Sequence, residues 1–197
     1  YRMDYFTSER DGGIRDAFNK GIARATGEWC NFMNAGDSFY GPDVLEKVSA
    51  ELEKRPDCDV LYGNVCCTRD NRPQGYVRYS RNIDRFFFFS GTICHQASFI
   101  KRRLFTLYGC YDDSFRLMAD RVHFYKLYSN NCKFYHFDEI LANYDGGGES
   151  STSRKEWDEL EKTFHSQYYS LEEIKEFTAQ RKKNMLEIVR KKYENRK

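Results

Sequence analysis

The sequence has no long apolar run, no paired-cysteine motif and almost no net charge. No apolar stretch in its 197 residues is long enough to cross a bilayer, and no signal peptide is recognisable. The seven cysteines are odd in number and include no Cys-x-x-Cys pair. This pattern argues against a disulfide framework or a zinc site and favours reduced thiols in a cytosolic protein. The net charge of +2 provides no overall electrostatic basis for binding nucleic acid.

What the sequence does contain is typical of a folded globular chain. Hydrophobic residues make up 40% and charged residues 31%, and the length suits one domain with a sizeable core. Aromatic residues reach 17%, which indicates either a core rich in rings or a site that stacks rings and sugars. Neither a nucleophile elbow nor a Walker-type phosphate loop occurs, and no internal repeat is present.

Alternating helical and strand patterns predict the fold class. Apolar residues recur at helical spacing on one face between Ile14 and Ala25, and Asp43 to Arg55 predicts a second amphipathic helix. Strands are predicted at residues 28–33 and 58–69, the second apolar on both faces and therefore central. This order predicts an α/β domain with a mostly parallel sheet flanked by helices. Further along the chain, the patterns predict a strand followed by a short helix (95–109), a helix (117–130), strands (133–145) and helices from Ser153 onward.

The tetrapeptide Asn34-Ala35-Gly36-Asp37 follows an apolar strand pattern. Ligands of open α/β sheets bind beyond the carboxyl ends of the strands, so this turn is a candidate site. Asp37 is suited to coordinate a hard cation such as Mg²⁺ or Mn²⁺, and Ala35 and Gly36 are small enough to admit a diphosphate. A simple Asx turn, or a cap for the helix from residue 43 onward, is the alternative explanation.

Several segments together resemble the family 2 glycosyltransferases, an inverting group with the GT-A fold. The similarity lies in Ser8 to Phe39, with "DGGIRDAFNKGI" followed by "GEWCNFMNAGD", and continues in Cys94 to Phe115, Met118 to Phe124 and Ile140 to Ser151. The resemblance implies transfer of a sugar from a nucleoside diphosphate donor to the hydroxyl of a saccharide or lipid-linked saccharide acceptor. It also implies a divalent cation, Mg²⁺ or Mn²⁺, and a setting in bacterial surface polysaccharide synthesis.

The resemblance also implies roles for individual residues. Asp37 would hold the cation and Asp120 would act as the catalytic base, although an Asp at the start of a helix can also be a plain N-cap. The residues implied on the donor side are Asp11, Arg15, Asn19, Asn34, Gly36, His95 and Gln96. For Arg15 a solvated helix position is the alternative, and for the His95-Gln96 pair it is a satisfied strand edge.

Three departures from the family pattern are visible. Asn34 and Gly36 stand where the family usually carries carboxylates, which leaves Asp37 as the acid of that motif. Val122 occupies the place of a second acid beside Asp120. The nucleotide-binding βαβ segment that precedes "SERDGG" in the family does not occur in these residues.

We expect two parts, a partial GT-A domain at 1–150 and a charged helical extension at 151–197. From Gln180 to Lys197 there are eight basic and two acidic residues, and Leu186, Val189 and Tyr193 share one helical face. This tail is consistent with a solvated helix or with contact to anionic lipid at the inner face of the cell membrane. The alternatives to an enzyme of this family are a non-catalytic interaction domain or pseudoenzyme, and a nucleotidyltransferase, although the glycine-rich phosphate loop that a nucleotidyltransferase needs is absent from this sequence.

Overall fold

The computed structural model describes residues 4–70, 72–112, 114–146 and 154–194, without the side chains of residues 192 and 193. Seven α-helices lie within these residues: α1 Ile14–Arg24, α2 Val44–Glu53, α3 Arg85–Ser90, α4 Arg103–Tyr108, α5 Ala119–Ser129, α6 Arg154–Tyr168 and α7 Leu171–Glu194. Six strands form one sheet: β1 Trp29–Cys30, β2 Ser38–Phe39, β3 Val60–Arg69, β4 Arg72–Val77, β5 Ser98–Lys101 and β6 Phe134–Asp145. The predicted α/β class is confirmed.

The sheet is not mostly parallel, so that part of the prediction is wrong. Its strand order is β1-β5-β3-β6-β2, with β4 paired to β3. Within the described residues only β3 and β6 run parallel, and the other four pairings are antiparallel. The link from β3 to β4 shows why these two strands are antiparallel. It passes through Asp70 at a φ of 51° and is too short for the crossover connection that parallel neighbours need.

Strand β3 is the centre of the sheet, as its two-sided apolar pattern predicts. Residues 60–66 are all buried, and the strand pairs with β4, β5 and β6. Gly63 permits the close approach of β6, because a Cβ at this position would lie 2.5 Å from the side chain of Leu141. The backbone of β6 is therefore held tightly against β3.

Aromatic side chains fill the larger of two cores, one on each face of the sheet. The larger core includes Phe88 and Phe89 of α3, Phe124 of α5 and Phe164 of α6. The smaller core lies between α2 and the sheet and includes Val44 and Val48. The Phe86–Phe89 run thus lies within α3, and its last two residues are buried in this core.

The C-terminal helices pack on the same core as the rest of the chain. Arg121 of α5 is buried and pairs with Glu161 of α6 at 3.2 Å, and Glu161 also pairs with Arg181 of α7 at 3.1 Å. Arg85 of α3 pairs with Glu173 of α7 at 2.7 Å. The boundary at residue 150 stays a prediction, and α6 contributes to the core of the preceding segment.

Three histidines outside the predicted site have structural surroundings. His123 stacks on Phe105 with 4.7 Å between ring centroids, and His165 stacks on Phe89 at 3.8 Å. His136 lies within 3.1 Å of the Asn64 side chain. All seven cysteines are free. Among the described residues, no helix has the length and apolar character needed to cross a membrane.

Candidate active site

A cavity of about 690 Å³ lies where several loops and helix ends meet the sheet. Its walls combine residues from the start of α1, the turn before β2, residues 92–96 before β5, the start of α5 and the end of β6. Among the residues predicted from sequence, those that line it are Arg15, Asn34, Asp37, His95, Gln96 and Asp120. The fold thus brings together six side chains that are far apart in the chain.

The turn at residues 34–37 presents the first carboxylate. The backbone N–H of Asp37 donates to the carbonyl of Asn34 at 3.1 Å, which closes the turn. Gly36 adopts a φ of 93°, and a Cβ there would lie 3.1 Å from Oδ2 of Asp145. Helix α2 begins after Asp43 at its N-cap, so Asp37 does not cap it. The turn therefore directs Asp37 toward the cavity.

Two groups of the protein hold the Asp37 carboxylate. Its Oδ2 accepts a hydrogen bond from Nε2 of Gln96 at 2.7 Å, and its Oδ1 accepts one from the backbone N–H of Asp145 at 2.8 Å. The other end of the Gln96 amide accepts a hydrogen bond from the Cys94 thiol at 2.8 Å. Burial raises the pKa of Cys94 to about 12, so this thiol stays protonated and can donate. Gln96 is 1% exposed and acts on Asp37 from within the protein.

Asp145 is a second carboxylate at this site that the sequence analysis did not identify. It is the last residue of β6 and lines the cavity beside Asp37. Its only sequence signal is its position at the end of a strand pattern, immediately before the Gly146–Gly148 run. Pairing of β6 with β2 is what brings it to the turn at residues 34–37.

The two carboxylates fit an open divalent-cation site. In the described part of the chain no group of three or more His, Cys, Asp or Glu side chains is placed to enclose a metal. Mg²⁺ is commonly bound by one or two carboxylates, with water and substrate phosphate oxygens completing its shell. Each Asp37 oxygen has a second lone pair beyond its hydrogen bond, so coordination does not require these bonds to break.

Asp120 lies in the first turn of α5, whose N-cap is Met118, so the N-cap role considered from sequence does not apply. Its Oδ1 accepts a hydrogen bond from the backbone N–H of Arg121 at 2.7 Å. Its Oδ2 lies 3.6 Å from Nδ1 of His95, and Nε2 of His95 lies 3.3 Å from Nδ2 of Asn34. His95 thus lies beside Asp120, and the next residue, Gln96, donates a hydrogen bond to Asp37.

Two of the residues predicted on the donor side have other contacts. Asn19 makes two hydrogen bonds with the backbone of Tyr111, at 3.0 and 3.1 Å, and so fixes the loop before α5. Asp11 pairs with Lys20 at 2.8 Å. Among the described residues that line the cavity, neither is included.

Aromatic residues that the sequence analysis did not select complete the walls. Tyr79, Tyr111 and Trp157 line the cavity, and burial raises the pKa of both tyrosines well above the ordinary value. Arg116 also lines it and pairs with Glu156 at 2.9 Å. These residues come from three separate segments, and no local pattern in the sequence connects them.

Sequence comparisons match this chain to known glycosyltransferases. A family model described as glycosyl transferase family 2 matches residues 1–109. A "PGL/p-HBAD biosynthesis glycosyltransferase" of Mycobacterium bovis is 34% identical over 148 residues, which is 73% of this chain and 56% of the relative. An "uncharacterized glycosyltransferase" of Mycobacterium tuberculosis is 34% identical over 119 residues, which is 59% of this chain and 45% of the relative.

A solved structure shows the same fold. The crystal structure of S. aureus TarS 1-349 in complex with UDP-GlcNAc aligns with a TM-score of 0.59 at 15% identity, covering 78% of this chain and 46% of TarS. The chain spans about half the length of the curated relatives it matches. Because the family model covers more than half of its residues, the chain belongs to glycosyl transferase family 2.

Proposed function

We propose that this chain is part of a glycosyltransferase that moves a sugar from a nucleoside diphosphate donor to an acceptor hydroxyl with inversion. The observation that carries the proposal is the single cavity that contains Asp37, Asp145 and Asp120. Asp37 and Asp145 suit a cation and its diphosphate, and Asp120 lies apart from them on α5. A transferase needs such a division between the leaving group and the attacking hydroxyl.

Asp37, with Asp145 beside it, would hold a divalent cation such as Mg²⁺ or Mn²⁺. When bound, this cation would offset the negative charge of the departing diphosphate. Gln96 keeps Asp37 oriented through its 2.7 Å hydrogen bond. Arg15 lines the same cavity, and its guanidinium suits phosphate oxygens.

Asp120 would act as the general base. It removes the proton of the acceptor hydroxyl, whose oxygen bonds to the anomeric carbon from the face opposite the diphosphate. The bond between the anomeric carbon and the phosphate oxygen breaks with its electron pair going to the diphosphate, so the configuration inverts. With a side chain that is 24% exposed, Asp120 is accessible from the cavity.

Substrate classes follow from the cavity and the relatives. TarS was crystallised with UDP-GlcNAc, which supports a nucleotide-sugar donor for this chain. Val65 of β3 and Val77 of β4 are register partners on the cavity wall, next to Tyr79. This apolar wall suits a lipid-linked saccharide acceptor, as in bacterial surface polysaccharide synthesis at the cytoplasmic face of the membrane.

The test uses the full-length protein that carries this chain. It is incubated with Mn²⁺, UDP-GlcNAc, UDP-glucose, GDP-mannose or dTDP-rhamnose, and polyprenyl-phosphate-linked sugars, and the product anomer is assigned by NMR. We expect one donor to give a product of inverted anomeric configuration. A retained configuration would refute the mechanism, and absence of both donor binding and transfer would favour the non-catalytic interaction domain.

We further propose that the distal part of α7 contacts an anionic membrane surface. Met185, Leu186, Ile188 and Val189 are each more than half exposed and follow helical spacing on one face. Basic residues such as Lys183, Arg190 and Lys191 flank them. Exposed apolar side chains flanked by basic ones match the interface between headgroups and acyl chains of anionic lipid.

A further inference from the structure

Three side chains from separate segments form a line across the wall of the cavity. Asn34 comes from the turn before β2, His95 from the short 3₁₀ turn at His95–Ala97, and Asp120 from the first turn of α5. Nδ2 of Asn34 lies 3.3 Å from Nε2 of His95, and Nδ1 of His95 lies 3.6 Å from Oδ2 of Asp120. His95 therefore lies between an amide and the carboxylate to which we assign the base role.

The contact between the Asn34 amide and His95 fits one tautomer of a neutral imidazole. An amide nitrogen carries two hydrogens and has no acceptor capacity, so Nε2 of the imidazole must accept. A neutral imidazole has one ring proton, which is then on Nδ1. Nδ1 is the nitrogen that faces Asp120, and a carboxylate oxygen can only accept.

The surroundings hold the imidazole and the carboxylate in this relation. Phe18 of α1 contacts the His95 ring edge to face, with 5.5 Å between centroids. Oδ1 of Asp120 already accepts from the backbone N–H of Arg121 at 2.7 Å. A bond from His95 to Oδ2 would thus fix the rotation of the carboxylate. The present 3.6 Å is slightly beyond hydrogen-bond distance, and catalytic contacts of this kind commonly shorten when substrate binds.

We propose that His95 is a positioning residue for Asp120, and that Asn34 sets its tautomer. In this role the Nδ1–H of His95 orients the carboxylate toward the acceptor hydroxyl. The proposal rests on the proposed function of Asp120, and it replaces the donor-side role implied for Asn34 and His95 by the family resemblance.

The tautomer is tested without any substrate. Histidine ¹⁵N shifts of the ¹⁵N-labelled full-length protein are recorded near neutral pH, and His95 is assigned from the signals lost in His95→Asn. We expect a protonated-type shift at Nδ1 and an unprotonated-type shift at Nε2, and we expect Asn34→Ala to remove this preference. A ring protonated at Nε2, or an Asn34→Ala protein with the same preference, would overturn the proposal.

Two substitutions of His95 by amide side chains distinguish a positioning role from a role in packing alone. The amide of Asn reaches the place of Nδ1, whereas the longer side chain of Gln reaches that of Nε2. The assay uses the donor that gives product in the transfer test described above. We expect His95→Gln to lower kcat on the order of 10²-fold with little change in the donor KM. We expect His95→Asn to retain most of the rate. Equal loss in both variants, or a loss confined to KM, would contradict the positioning role.

A double variant distinguishes this proposal from the function on which it rests. If His95 acts through Asp120, His95→Gln causes no further loss when Asp120 is already Asn. A further loss of the same size would show that His95 acts independently and would refute the proposal. Full activity in Asp120→Asn alone would instead refute the base role, whatever tautomer the NMR experiment shows.

Discussion

The side chain of Gln96 donates a hydrogen bond to Oδ2 of Asp37 at 2.7 Å, although the two residues are 59 positions apart. Gln96 is almost fully buried, and its other end accepts from Cys94. Both ends of the amide are therefore satisfied, and Asp37 is held in one orientation. In the proposed cation site, Gln96 supports the ligand without touching the metal.

We expect Gln96→Leu to weaken Mn²⁺ binding by roughly 10- to 100-fold, because an unsupported ligand must be ordered when the metal binds. Asp37→Asn should weaken it further, since it removes the charge. Free Mn²⁺ is measured by electron paramagnetic resonance in the presence of UDP. Asp43→Asn is the matched control, because Asp43 pairs only with Lys47 at the surface in the described structure. Unchanged affinity in Gln96→Leu would contradict the supporting role.

We expect Asp120→Asn to lower the rate of sugar transfer by about 10²- to 10⁴-fold, the usual contribution of a general base. The variant keeps the acceptor for the Arg121 N–H, so the fold should stay intact. Transfer is followed as nucleoside diphosphate release, with circular dichroism as the check on folding. Asp57→Asn is the control, because Asp57 pairs with Lys133 away from the cavity. A normal rate in a folded Asp120→Asn protein would rule out the base role.

The sequence predicts features that depend on local patterns and misses those that depend on packing between distant segments. Helix α2 and strand β3 lie where their apolar spacing predicts, and Asp37 lies in a turn as expected. Strand direction is not encoded in an apolar pattern, which is why the sequence predicts a mostly parallel sheet and the sheet is instead mostly antiparallel. Asp145 reaches Asp37 only through the pairing of β6 with β2. Asn19 binds Tyr111 across 92 positions, a contact that no local motif signals.

We expect Glu161→Gln to lower the free energy of unfolding by about 3 kcal/mol, because it leaves the guanidinium of buried Arg121 without its counter-charge. Burial alone would raise the pKa of Glu161, but hydrogen bonds and charges from Arg181 and Arg121 outweigh it, and the net pKa is lowered. The loss is measured by urea unfolding. Glu156→Gln should cost less than about 1 kcal/mol, because its pair with Arg116 is exposed. Equal effects of the two variants would contradict the importance of the buried pair.

We expect burial of His123 to make the fold less stable as the pH falls below 6.5. Burial lowers its pKa from 6.5 to about 4, so between these values the unfolded chain binds a proton that the folded chain does not. Stability from this group is therefore complete above pH 6.5 and is lost toward pH 4, by at most about 1.4 kcal/mol per pH unit. His136 and His165, whose pKa values are also lowered by burial, act in the same direction.

The measurement compares unfolding free energies of wild type and His123→Phe at pH 7 and pH 5. Neither ring nitrogen of His123 has a hydrogen-bond partner among the described residues, and the ring stacks on Phe105, so phenylalanine should fit. We expect the variant to be at least as stable as wild type at pH 7 and to lose less stability at pH 5. An identical pH dependence in both proteins would mean that His123 keeps its ordinary pKa.

The exposed apolar face of α7 gives the last prediction. Leu186 and Leu107 are both 62% exposed, but only Leu186 lies on the helix face flanked by basic residues. We expect Leu186→Ser to reduce binding to vesicles of mixed phosphatidylglycerol and phosphatidylcholine several-fold, because it removes apolar burial at the interface. Leu107→Ser, the matched control, should bind as wild type does. Binding is measured by co-sedimentation at two salt concentrations, since attraction to anionic lipid weakens with salt. Equal vesicle binding by all three proteins would contradict the proposed membrane contact of this face.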